Sequence, residues 1–141
     1  MLRKKQWIKY ACLWLVGGSL YYLTEILYRG ESHPAMFIVG GLAFLFCGIL
    51  NEGLSWDTPL IQQVLWADFG VTALEFVSGW FLNIQLDLHI WDYSLLPYNL
   101  MGQICLPYAL LWLPLCLIGI VLDDYLRWKF FGEEKPSYHW L

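Results

Sequence analysis

Asp68 and Glu75 stand well inside an otherwise apolar stretch, Leu60–Asn83, that reads LIQQVLWADFGVTALEFVSGWFLN. On a helix, Asp68, Thr72, Glu75, Gly79 and Asn83 fall at i, i+4, i+7, i+11 and i+15, one narrow stripe against faces of Leu, Val, Phe and Trp. The stretch is long enough to cross a bilayer, and lipid cannot solvate a carboxylate. The stripe must therefore face protein or a water-filled cavity, where an acid can take a proton or hold a cationic group. Glu75 is the leading candidate. Asp68, which could instead bond Gln62 or Gln63, is secondary.

A second polar set begins with Glu25 and Arg29 at i, i+4. The Arg29 guanidinium offers a planar fork to a carboxylate, either as part of a site or as a salt bridge fixing the first helix against the third. Asp92 is a further partner for Arg29, although WDYS (91–94) also reads as an interfacial anchor with a turn-forming Asp. His33, Asn83, Trp91, Asp92, Tyr93, Asn99 and Gln103 join Glu25, Arg29 and Glu75 as the candidate ligand-binding residues. Glu25 and Glu75 are also the candidate catalytic pair, for acid/base work on a lipid-like substrate with Arg29 as an anion clamp. His89 and Asp92, with His33, lack a third ligand at diagnostic spacing, so no metal site is expected.

These residues have to be held by elements that the composition points into a membrane. Of 141 residues, 59% are hydrophobic and 14% charged, about half the charged share usual in a soluble domain. The expected fold is an all-α integral membrane protein with four transmembrane helices and an interfacial or re-entrant segment between the third and fourth. The spans fall at about 7–28, 35–51, 60–82 and 103–122, with the intervening segment at 84–102 and a tail at 123–141. Pro34 suits the start of the second helix, and Asn51-Glu52 reads as its stop. Pro107 and Pro114 both fall in the fourth, where neighbours can satisfy freed carbonyls. Gly17 and Gly18 on the first helix, and Gly41 and Gly48 on the second, offer close-contact faces, within the chain or to a homodimer or larger membrane complex. Cys12, Cys47, Cys105 and Cys116 read as small apolar packing residues.

All but one of the eight Lys and Arg flank the first and fourth spans on the same side; the exception is Arg29. That bias places both termini in the cytoplasm of a cell (inner) membrane and the polar seam toward the outside. On this topology the seam and both outer loops are expected to converge on one extracytoplasmic cavity floored by Glu75. It would bind a small solute, an ion or a lipid headgroup, as in a transport-associated subunit. An embedded enzyme and a structural or assembly factor are the alternatives. No nucleotide-binding, G-x-S-x-G or H-E-x-x-H motif occurs, no cofactor is implied, and the few basic residues give no nucleic-acid signature.

The blocks YYLTEILYRGESH, MFIVGGLAFLFCGILNE, LEFVSGWFLN, WDYS and NLMGQICLPYALLW, in that order from Tyr21 to Trp112, resemble a known family. It is the bacterial putative ABC-transporter type IV, or CmpB-like, family, which takes in the animal transmembrane protein 229 group. The motif positions include Glu25, Arg29, His33, Gly40, Gly41, Asn51, Glu52, Glu75, Gly79, Asn83, Trp91, Asp92, Tyr93, Asn99, Gly102 and Gln103. The resemblance implies a small multi-pass membrane protein.

Overall fold

The computed structural model describes residues 2–54 and 57–140, apart from the side chains of Leu2 and Asn51. It is mostly helical, 73%, and is built on four helices among the described residues. Helix α1 (Leu2–Arg29) begins earlier than the apolar run, because Arg3, Lys4 and Lys5 are good helix formers. Gly30, at φ +82°, ends it in the left-handed region and donates its N–H to Ile26. Helix α2 (Pro34–Gly53) opens as expected on Pro34, and the His33 imidazole accepts the Ala35 N–H at 3.1 Å.

Helix α3 (Leu60–Gly79) continues through a π-helical turn over Trp80–Gln85. No side chain among the described residues caps its start. The C-terminal segment does so instead: the carbonyls of His139 and Trp140 accept the N–H groups of Leu60 and Ile61 at 2.7 and 3.4 Å. Helix α4 spans Leu106–Phe131, so it starts later than residue 103 and runs well past 122. Residues 123–131, expected in the tail, are helical because Asp123 and Arg127 pair at i, i+4 on a buried face instead of fraying into water. Pro107 therefore lies in the first turn, and only Pro114 is interior.

The all-α expectation needs one correction. Strands β1 (Asn99–Leu100) and β2 (Ile104–Cys105) form a small antiparallel hairpin with Asn99 opposite Cys105. Met101 and Gly102 turn it at φ +55° and +71°, the hand that matches strand twist.

Helix α1 packs chiefly along α2, while α2, α3 and α4 pack on one another. Cys47, Leu60, Val64, Ala67, Val71, Cys116 and Ile120 form the core toward the N-terminal end of α3. Met36, Leu82 and Trp91 form a second core at its other end, under the 86–105 segment. Cys47, Cys105 and Cys116 are buried, whereas Cys12 is exposed, against expectation. Among the described residues, two helices are long and apolar enough to cross a membrane, Leu60–Gln85 and Leu106–Phe131, and most of their surface is not buried within the chain.

Candidate functional site

Glu75 sits on the buried face of α3 with 8% of its surface exposed. Its Oε2 accepts the Tyr93 hydroxyl at 3.3 Å, while Oε1 has no hydrogen-bond partner among the described residues. The indole N–H of Trp112 faces this carboxylate without reaching an ordinary hydrogen bond. Around them, Tyr21, Met36, Trp91 and Trp112 enclose a chamber of about 20 Å3, which is room for one water-sized group. Burial, and then the Glu75 charge, push the Tyr93 hydroxyl well above its usual range, so it remains a donor. Along the same stripe, Thr72 Oγ1 and Asp68 Oδ1 are also buried without partners.

The polar groups do not converge on one cavity. A separate recess of about 230 Å3, at the C-terminal end of α1, is lined by Glu25, Arg29, Glu31, Ser32, His33 and His89. Within it, Arg29 Nη1 lies 3.6 Å from Glu25 Oε1, and Ser32 donates to Glu25 Oε2 at 3.1 Å. Arg29 Nη2 donates to the Ile90 carbonyl at 3.3 Å, which ties the end of α1 to the 86–90 loop. The Tyr21 hydroxyl, 3.3 Å from Glu25 Oε1, links recess and chamber.

Asp92 lies elsewhere. It is exposed, accepts the Ser94 N–H at 2.9 Å and crowds Gly102, so it closes a turn and does not face Arg29. Those hydrogen bonds from Ser94 hold its carboxyl below the usual range. Of the two readings of WDYS, the turn-forming one describes Asp92.

Asn83, Trp91, Asn99 and Gln103 bond to one another's surroundings and so fold the segment that roofs the site. Asn83 donates to Gln103 Oε1 at 2.8 Å and accepts the Ile90 N–H at 2.7 Å. The Trp91 indole donates to the Gln103 carbonyl at 2.9 Å, and Asn99 bonds the Ser94 and Leu96 carbonyls and the Gly102 N–H. Replacing Asn83 with Ala strands the Gln103 amide oxygen and the Ile90 N–H, at a cost of about 1–3 kcal/mol. Hydrogen exchange over 84–105 should rise severalfold in Asn83→Ala while α1 and α2 stay protected; unchanged exchange would show that the network is idle.

At the opposite end of the bundle lies a cluster that sequence reasoning missed. Arg127, 4% exposed, reaches Glu52 Oε1 at 2.5 Å, Asp123 Oδ2 at 2.8 Å and Glu133 Oε1 at 3.8 Å. Lys9 joins it, 3.5 Å from Glu52 and 3.3 Å from Glu133, and the Tyr10 hydroxyl donates to Glu52 at 2.7 Å. Tyr138 donates to Asp124 beside it. Glu52 is thus an ion-pair acceptor more than a helix stop. Burial alone would raise its carboxyl, but the hydrogen bonds from Arg127 and Tyr10 hold it below the usual range. The available signal was the i, i+4 spacing of Asp123 and Arg127.

No curated protein and no solved structure matches the chain. One family does match, over residues 19–132. That stretch reaches from within α1 to the glycine that ends α4 and so takes in the chamber, the recess, the hairpin, and Glu52, Asp123 and Arg127 of the ion-pair cluster. On this match the chain belongs to the putative ABC-transporter type IV family.

Proposed function

We propose that the chain crosses the cell membrane four times with both termini in the cytoplasm. On this reading it binds a small solute, an ion or a lipid headgroup through the outer recess and the Glu75 chamber, as a transport-associated subunit. Its α3 and α4 are long and apolar enough to span, and the exposed faces of all four helices carry large apolar residues such as Leu23, Ile38, Phe69 and Ile118. Water would not tolerate so much apolar surface, whereas lipid favours it. The cationic residues gather around the N-terminus of α1 and the C-terminal end of α4, and these two ends meet at the Lys9–Arg127 cluster. That arrangement suits the positive-inside bias.

The observation that carries the binding role is the unpartnered oxygen of a buried Glu75 enclosed by aromatic rings. A buried acid left half-satisfied is a poor staple, but it is ready for a ligand. The enzyme alternative gains nothing from the geometry, because Glu25 and Glu75 line different cavities.

Glu75→Gln keeps size and one hydrogen-bonding oxygen. Purified into nanodiscs, it should unfold within a few degrees of the wild type, yet lose the stabilisation that a screen of small charged solutes finds for wild type. A large fall in unfolding temperature without ligand would favour the structural reading instead. Topology is checked separately by a cysteine placed at His89 in a chain with Cys12 replaced. An impermeant maleimide should label it from outside the cell.

A further inference from the structure

Tyr21, Gly40, Ala43, Val71 and Trp112 each face two spaces. On one side is the Glu75 chamber. On the other, an apolar cleft of about 180 Å3 lies between α1 and α4 with α2 as its floor. The cleft exists because α1 packs chiefly along α2 and meets α4 only through side chains such as Tyr21 on Trp112. Its rim residues Leu20, Leu115 and Ile118 are 46%, 39% and 60% exposed, so it opens sideways toward the bilayer on the four-span reading.

We propose that chamber and cleft together bind a long-chain primary amine, with the ammonium group against Glu75 and the hydrocarbon tail in the cleft. The inference rests on the reading of Glu75 as a binding residue and names the ligand class. Charge is the first ground. Oε1 of Glu75 is buried and unpartnered among the described residues, and no described Lys, Arg or His lines the chamber, so an ionised Glu75 takes its compensating cation from the ligand. Aromatic walls are the second: Tyr21, Trp91 and Trp112 line the chamber, the first and last stacked on one another at 5.9 Å, and such walls suit the methylene that follows an ammonium group.

Size then selects among cations. A space of about 20 Å3 admits a group the size of water, which an NH3+ is and a trimethylammonium is not. Continuity supplies the last ground. The ring pair of Tyr21 and Trp112, over the small residues Gly40 and Ala43, is the partition that the first methylenes of the ligand pass. Beyond it the cleft is walled by residues such as Phe44, Leu115 and Leu122, which suit a hydrocarbon and no polar solute.

The test titrates dodecylamine, dodecanol, dodecyltrimethylammonium and butylamine against the protein in neutral-lipid nanodiscs, reading tryptophan fluorescence and thermal unfolding. Dodecylamine should bind saturably, at least about tenfold more tightly than the alcohol or the quaternary amine. Glu75→Gln should erase that preference. Gly119→Leu fills the cleft, since a Cβ there meets only Cys47, at 3.6 Å or more. It should bring dodecylamine down to the level of butylamine and leave butylamine itself unchanged. Equal binding of dodecanol, no saturable binding of dodecylamine, or indifference to Glu75→Gln each overturns the inference. So does ligand-independent dimerisation that Gly119→Leu abolishes, because the cleft would then belong to a second copy. If dodecylamine fails while a small solute still binds in a Glu75-dependent way, the amine assignment falls alone; if both fail, the binding reading falls with it.

Discussion

Replacing Arg127 with Met is expected to destabilise the protein by about 3–5 kcal/mol, the usual result of removing one partner from a buried ion pair. Met keeps much of the stem and so isolates the loss of charge. Asp123, with none of its surface exposed, would be left without a cation. Water could not reach it from α2, because Gly48 is packed so closely that a Cβ there would lie 2.5 Å from Asp123 Oδ1. Glu52 would fare better, since Lys9 and Tyr10 still hold it. The harm therefore comes from the stranded Asp123 rather than from the lost attraction itself, and this makes a sharp double-mutant expectation. Asp123→Leu combined with Arg127→Met should be more stable than Arg127→Met alone, because no buried charge remains. Equilibrium unfolding in mixed micelles measures the wild type, Asp123→Leu, Arg127→Met and the double variant. Strict additivity would mean that Asp123 and Arg127 do not depend on one another, contrary to their 2.8 Å contact.

That cluster also shows where sequence reading loses its grip. A hydropathy window ends a span where charges begin, so it stopped the fourth helix at 122. A buried pair at i, i+4 carries the helix on to Phe131. Whether two charges neutralise each other depends on what surrounds them, and Glu52 and Lys9 come from other helices. The stripe on α3 was legible because 3.6-residue arithmetic fixes which side chains share a face, whatever the partners. Pro34 and the glycine pairs were legible for the same kind of reason, being local. Asp92 was not. Its orientation follows from a loop in which Asp87, His89, Tyr98 and Met101 take positive φ, a conformation that glycine would advertise and these residues do not. The division between chamber and apolar cleft was hidden as well, because a ring stack between Tyr21 and Trp112, far apart in sequence, stands between them.

The second large effect is expected where α1 meets α2. Gly18→Val should detach α1, at a cost of about 1–3 kcal/mol or more, since overpacking is worst where backbone opposes backbone. A Cβ on Gly18 would lie 2.5 Å from the Phe37 carbonyl oxygen, and one on Gly41 2.7 Å from the Trp14 carbonyl oxygen. Gly17 and Gly40 are similarly filled by Phe44 and Tyr21. No rotamer change moves a carbonyl, so the helices themselves must separate. Gly70 offers the contrast, because a Cβ there meets the ring of Phe46, which can swing aside. Gly53→Ala is the neutral control, with nothing within 4 Å. Because α1 packs chiefly on α2, only side-chain contacts such as Lys9 to Glu133 and Tyr21 to Trp112 hold it elsewhere. Tyr21 would leave with it, and the Glu75 chamber would lose a wall. Two readings should therefore move together in Gly18→Val: thermal unfolding falls, and a hydrophobic carbodiimide modifies Glu75 faster than in the wild type. If stability falls but Glu75 stays as protected as before, the chamber does not depend on α1, and Tyr21 is not one of its walls.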